Sequence, residues 1–164
     1  MEIRKTDARE IAVLMQIFEQ ARHFMRNSGN PDQWIDGYPS IEIIIKDITD
    51  GNSYVCIDGS GEIAGTFSFA RGNEPAYSKI YEGQWLNDKP YGVIHRLAGK
   101  TGSIGIADAC LQWCSKKCEN IRTDTHRDNF IMRKILENRG FTQCGIIYVA
   151  NGTQRLAFQK TENG

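Results

Sequence analysis

The sequence predicts a mixed α/β domain in which one sheet of mixed connectivity is covered by helices. Three observations carry this prediction. Apolar spacing resolves the chain into strand-like and helix-like segments in the order β, α, α, β, β, β, α, β, α, β, β. The helical segments are amphipathic, so each has one face to bury. Two turn clusters, Asp58-Gly59-Ser60-Gly61 and Asn151-Gly152, each separate a pair of apolar runs, the signature of a β-hairpin. No internal repeat, low-complexity tract or linker divides the 164 residues, so residues 1–160 are expected to form a single domain and 161–164 a frayed tail.

The elements follow in order. Residues 2–5 alternate as a short first strand. Thr6 or Asp7 then caps a helix whose Ile11, Leu14, Met15, Phe18, Ala21 and Met25 share one face, and Asn27-Ser28-Gly29-Asn30-Pro31 stops it. Trp34 and Tyr38 lie in the loop that follows. The run IEIIIKDI has the β-branched content of a strand, but Ile41, Ile44, Ile45 and Ile48 recur at helical spacing behind Ser40, a natural cap. A helix is therefore expected there. Residues 53–57 and 62–70 form the first hairpin, and residues 71–92 are irregular. Such a stretch is long for a connection in a compact domain. Its Tyr77, Tyr81, Trp85 and Tyr91 are either anchors that pin the loop to the body or walls of a substrate pocket. Residues 93–98 read as a strand; after a Gly-rich turn, Ile106, Ala109, Cys110, Trp113 and Cys114 mark an amphipathic helix. Residues 121–125 form a short strand. Asp128-Asn129 caps a helix carrying Ile131, Met132, Ile135 and Leu136, which Gly140 closes in the C′ position. Residues 145–150 and 153–159 form the last hairpin around Asn151-Gly152.

Composition narrows the function. Hydrophobic residues make up 40% and charged residues 24%, and Lys plus Arg equal Asp plus Glu, so the net charge is zero. A general nucleic-acid binder would show a basic excess, so no nucleic-acid partner is expected. No apolar run approaches the length of a membrane span, and the charged MEIRKTD start has no signal-peptide core, so a cytoplasmic protein without a membrane partner is expected. The five cysteines lack zinc or disulfide spacing. Cys110, Cys114 and Cys118 stack along one helix and read as small core or boundary residues; no metal is expected.

The stretch from Gly92 to Trp113 runs from an apolar strand through a Gly-rich turn into a helix. That arrangement aims free backbone N–H groups and the positive end of the helix dipole at one point, an anion site. Gly99-Lys100-Thr101 resembles the end of a P-loop, but Ile94 stands where that motif needs Gly. Gly102-Ser103-Ile104-Gly105 has the wrong spacing for a dinucleotide fingerprint.

Over essentially its whole length the chain resembles the GNAT superfamily of acetyl-CoA-dependent N-acetyltransferases. The resemblance rests on Gly102-Ser103-Ile104-Gly105-Ile106-Ala107, which matches the family's Gln/Arg-x-x-Gly-x-Gly/Ala loop at Gly105 and Ala107 but has Gly102 in place of Gln or Arg. It rests also on Asn129 opening a helix that ends in Arg139-Gly140-Phe141 before a hairpin tail. It implies an α+β fold with a mostly antiparallel sheet of six to seven strands and about four helices. It implies direct acetyl transfer from acetyl-CoA to a primary amine of a small molecule, peptide or protein, with a non-catalytic acyl-CoA-binding or regulatory module as the alternative. Residues 103–107 would offer N–H groups to the pyrophosphate, Lys100 would stand in for the missing donor, and Leu97 and Ala98 would pair through their backbone with pantetheine. Asn129 would be a plain helix cap, a contact to the cofactor arm, or both.

Acyl transfer to an amine needs a base. His95, before the turn, and His126, between the next strand and the Asn129 helix, are the candidates, with Asp124 behind them. Arg96 is expected to pair with a carboxylate, and Leu136 occupies the position where many family members place a Tyr acid. Trp34, Tyr38, Tyr77, Tyr81 and Trp85 are candidate walls of a mostly aromatic acceptor cleft. A homodimer is a further expectation by family analogy.

Overall fold

The computed structural model describes residues 1–162. Its strands are β1 (Glu2–Lys5), β2 (Ser53–Ile57), β3 (Ile63–Arg71), β4 (Gly92–Gly99), β5 (Asn120–Thr125), β6 (Thr142–Tyr148) and β7 (Gln154–Thr161). Its helices are α1 (Ile11–Asn27), α2 (Ile41–Thr49), α3 (Ile106–Lys117) and α4 (Phe130–Asn138). The seven strands make one sheet in the order β1-β2-β3-β4-β5-β7-β6, antiparallel throughout except between β4 and β5. The parallel pair needs a crossover, and α3 provides it. The last strand runs to Thr161, which pairs with Asn120, one residue past the expected domain end; residues 163 and 164 of the expected tail lie outside the described residues.

Local chemistry explains the helices. Before α1, Asp7 accepts the Arg9 N–H and Glu10 reaches back to the Asp7 N–H at 2.7 Å, a capping box that fixes the entry of the chain. Leu14, Ile17, Phe18 and Ala21 form the buried face. The IEIIIKDI run is a helix, with the Ser40 hydroxyl accepting the Ile43 N–H at 3.3 Å. Its inward face differs from the expected one. Ile44 is buried with Ile43 and Ile48 beside it, while Ile41 and Ile45 stay exposed, because a nine-residue helix offers one narrow stripe to α1.

Strand alternation divides the core between the two faces of the sheet. On β2, Val55 packs with α1 and α2, whereas Cys56 packs with Phe67, Phe69, Ile94 and α3. Cys56, Cys110 and Cys114 sit together in this second cluster, and burial pushes the Cys56 thiol up to about 12, far from reactive thiolate behaviour. The connection from 72 to 91 covers the far half of the first face. Tyr77 is 2% exposed and packs with Val93, Ile147 and Ala157. Trp85 donates its Nε1–H to the Tyr77 carbonyl at 3.0 Å, and Arg122 is clamped between the rings of Trp85 and Tyr91. The aromatic loop is thus anchored. Among the described residues, no helix is long and apolar enough to cross a membrane.

Candidate active site

The site begins where β4 and β5 part. Among the described residues they pair only through Gly92–Ile121 and Val93–Arg122. A last link follows: the Thr123 hydroxyl donates to the Ile94 carbonyl at 2.9 Å. Beyond it β4 stays with β3, while β5 stays with β7 as far as Thr125, so a wedge opens between two strands of one sheet. The parting coincides with a bulge. From His95 to Ala98, β4 takes three steps where β3 takes two, from Ser68 to Thr66. Arg96 sits in the left-handed region at φ 52. Its guanidinium is held by two 2.7 Å bonds to Asp47 of α2 and a 3.0 Å bond to the Tyr38 hydroxyl. The expected carboxylate partner of Arg96 is therefore Asp47.

Two cavities flank the wedge and share Met25, Leu97, Asn129 and Met132. The first, of about 380 Å³, lies between the C-terminal half of α1, the β4–α3 turn and the start of α4. It gathers nine of the ten residues expected to bind cofactor: Leu97, Ala98, Lys100, Gly102, Ser103, Gly105, Ile106, Ala107 and Asn129. Ile104 is the exception; its side chain is 89% exposed and lines neither cavity. Gly102 and Gly105 have φ of 80 and 81, and a Cβ on either would project into open space. The N–H groups of Gly105, Ile106, Ala107 and Asp108 find no acceptor among the described residues. Arg139 sits 2.8 Å from Asp108, offsetting the negative charge in the first turn of α3. Free N–H groups at a helix start have the geometry and dipole that suit an anion.

Two residues of this cavity have partners within the chain. Lys100 Nζ lies 3.2 Å from Glu62 and 3.5 Å from Asp58, so its charge is paired at the β2–β3 hairpin. The Ser103 N–H donates to the Lys100 carbonyl at 3.1 Å to close the turn and is not free for a ligand. Asn129 caps α4 by accepting the Met132 N–H at 3.1 Å, while its Nδ2 donates to Gln33 Oε1 at 2.9 Å. The same Gln33 oxygen also accepts from Asn30 Nδ2 at 2.8 Å. Gln33 thereby ties the loop after α1 to the N-terminus of α4, beside the junction of the two cavities.

The second cavity, of about 540 Å³, contains Trp34, Tyr38 and His95. The other candidate walls turn away. Tyr77 and Trp85 are loop anchors, and Tyr81 packs edge-on against Tyr148 over the β6 edge. The cleft is consequently not mostly aromatic. Asp47, Glu74, Asp124, Arg96 and Arg155 line it. Asp124 accepts from the buried Tyr77 hydroxyl at 2.6 Å, and burial, reinforced by Asp124, pushes the Tyr77 phenol well up, so it remains a neutral donor. Arg155 donates to the Gln33 carbonyl at 2.6 Å. His95 Nε2 lies 3.9 Å from Glu74 Oε2.

His126 belongs to neither cavity. Its Nδ1 accepts the Asp128 N–H at 3.0 Å, which makes it a turn cap between β5 and α4. Burial, with Arg155 adding to it, lowers its pKa. Leu136, in the position compared with a Tyr acid, is fully buried in the core. Sequence reasoning missed Glu74, Gln33, Asp47 and Arg155 as cleft residues. Glu74 adjoins Pro75 in a stretch without periodicity, and the other three lie on elements that reach the cleft only through tertiary packing.

No protein-family model and no curated protein matches the chain. Solved structures do. A GNAT-family acetyltransferase from Listeria monocytogenes 4b F2365 superposes with a TM-score of 0.72 at 17% identity, over 98% of this chain and 94% of that one. The NatC complex bound to Gag peptide and CoA contains a chain that superposes at 0.64 with 18% identity, over 98% and 99%. These two show the fold. A GNAT-family acetyltransferase from Streptococcus agalactiae 2603 superposes at 0.89 and is 36% identical over 98% of this chain and 94% of that one. Identity at that level along the whole length goes beyond what a shared fold requires, and the chain belongs to the GNAT family of acetyltransferases.

Proposed function

We propose that the protein transfers an acetyl group from acetyl-CoA directly to a primary amine carried by a small molecule or a peptide. The observation that carries this reading is the wedge: an anion cradle and a cleft of titratable groups open from the same strand and meet at Leu97 and Asn129. A chain of the NatC complex, a complex bound to Gag peptide and CoA, has the same fold, which is in keeping with a CoA donor.

The residues fit that donor. The N–H groups of 105–108 and the α3 dipole suit the pyrophosphate, and Gly102 and Gly105 let it approach the backbone. Past Ile94 the edge of β4 that faced β5 has no strand partner, so an amide-bearing arm can lie along Leu97 and Ala98. Bound acetyl-CoA supplies an acyl thioester. The β4 bulge leaves Arg96 and Leu97 without register partners on β3, and Leu97 lines both cavities; a backbone N–H at this junction would be a donor of the kind that stabilises a developing oxyanion.

In the cleft, Arg96 is paired with Asp47, and Glu74 and Asp124 offer carboxylates to a cationic acceptor. Such an amine, with a pKa of about 10.4, is neutral in only about one molecule per thousand at pH 7, so it must lose a proton before it reacts. His95 is the base in this reading. Leu136 supplies no acid, and none is required if sulfur leaves as thiolate, given that a simple thiol has a pKa of about 8.5.

The test is thiol release from acetyl-CoA with a panel of small amines and peptides, alongside calorimetric titration with acetyl-CoA. Turnover with an amine and acetylated product support the proposal. Acetyl-CoA binding with no turnover across the panel would instead support a non-catalytic acyl-CoA-binding module.

A further inference from the structure

His95 carries two ring nitrogens in different surroundings. Nε2 is shut off from solvent and has no hydrogen-bond partner among the described residues. It lies 3.9 Å from Glu74 Oε2, the one carboxylate oxygen within ion-pair distance of His95 among the described residues. Nδ1 makes no hydrogen bond among the described residues but, unlike Nε2, keeps some exposure, and His95 lines the acceptor cleft. Glu74 is itself held. Its Oε1 accepts the Ala76 N–H at 3.4 Å, its own N–H donates to the Tyr91 hydroxyl at 3.2 Å, and Tyr91 belongs to the anchored aromatic loop.

We infer that Glu74 is a positioning residue that keeps the proton of neutral His95 on Nε2, leaving the Nδ1 lone pair to receive the proton of the acceptor amine. The inference rests on the reading of His95 as the base. At 3.9 Å the contact is electrostatic rather than a formed hydrogen bond. The alternative tautomer would set the solvent-shielded Nε2 lone pair against a carboxylate, whereas an N–H dipole there is attracted to it. In the transfer, the N–H bond of the acceptor ammonium breaks, its electron pair stays on the amine nitrogen, and the proton bonds to Nδ1. The resulting imidazolium faces Glu74 through Nε2–H.

The other groups around the ring are already engaged or neutral. Ser68 pairs with His95 across β3, Arg96 is turned to Asp47, Arg155 to the Gln33 carbonyl, and Asp124 accepts from Tyr77, whose ring centroid is 6.1 Å from that of His95.

The test is a long-range ¹H–¹⁵N correlation spectrum of the uniformly labelled full chain at a pH where its three histidines are neutral, with H95A assigning the His95 signals. Wild type is expected to show a pyrrole-type Nε2 and a pyridine-type Nδ1. E74A is expected to give averaged shifts for both nitrogens and a kcat at least about tenfold lower with unchanged KM for acetyl-CoA. E74D, which keeps the carboxylate charge, is expected to hold the wild-type tautomer, whereas the uncharged E74Q, of the same size as Glu, is expected to behave like E74A; E74D thus serves as the folded control. A wild-type proton on Nδ1, or an E74A spectrum identical to wild type, overturns the inference. Full turnover in H95A would instead remove His95 as the base, and the spectra separate that failure from this one.

Discussion

Replacing Asp47 by Ala tests what holds the bulge in β4. In the wild type the Arg96 guanidinium donates twice to Asp47, both at 2.7 Å, with the two side chains only 16% and 13% exposed. Each charge-assisted bond is worth about 1.5–3 kcal/mol, and breaking one half of a buried pair typically costs about 3–5 kcal/mol because the remaining charge is stranded. Arg96 keeps its bond to the Tyr38 hydroxyl at 3.0 Å and some contact with solvent, which places the expected loss at the lower end, about 3 kcal/mol. For a chain of this size that corresponds to a fall in Tm of about 6–12 °C. The assay is urea and thermal unfolding of D47A, R96A and the double variant. The pair should couple by about 2–3 kcal/mol, so that the double variant is much less unstable than the sum of the singles. Single variants within about 0.5 kcal/mol of wild type, or strictly additive losses, would refute the claim that this pair clamps the bulge.

Gly105→Val should keep the fold but weaken acetyl-CoA binding about tenfold or more by calorimetry, because a side chain at φ 81 is strained and projects into the cradle. Lys100→Ala should leave acetyl-CoA affinity within about twofold, since the ammonium is already paired with Glu62 and Asp58; a loss of fivefold or more would show that Lys100 reaches the ligand. The Asp58 carboxylate is held at about 2, below its ordinary 3.8, by the Ser60 hydroxyl and by the Ser60 and Glu62 N–H groups. Its folded pKa is depressed, so its stabilisation is complete above about 3.8 and fades as pH falls toward 2. The urea midpoint of wild type should therefore drop more steeply between pH 4 and 2 than that of D58N, with the two slopes measured in parallel. Leu136→Tyr should destabilise by about 1–3 kcal/mol in urea unfolding without raising kcat, because that position is fully buried in the core and opens on neither cavity.

The parts of this molecule that could be read from the sequence are those set by neighbours along the chain. Ser40 and Asn129 cap the helices that follow them, and the hydrophobic face of α1 is visible at helical spacing. The Gly102–Ala107 turn is likewise local, a strand end and a helix start with small residues between, and it lines the first cavity. The second cavity is different. Whether Tyr77 and Trp85 face a pocket or the core depends on how the 72–91 segment docks on β5 and β7, which no spacing within the segment encodes. Lys100 looked free because its partners Glu62 and Asp58 lie on a hairpin about forty residues earlier and meet it only through the β3–β4 pairing. His126 and His95 look alike in sequence, and tertiary structure separates them by giving one a backbone N–H to cap and the other an open nitrogen.

A single register shift links these features. A β4 strand without the bulge would keep Leu97 in step with β3, and Arg96 would have no reason to enter the left-handed region. With the extra residue, Arg96 reaches across to α2 and Leu97 stands at the boundary of both cavities. Asn129 reaches the same boundary from α4, fixed by its cap and by Gln33. The chemistry of the Gly-rich turn therefore depends on events one strand earlier. The turn offers its N–H groups wherever it is placed, but only a bulged β4, parted from β5 just past Val93, brings that turn to a shared boundary with a cleft containing His95 and Glu74.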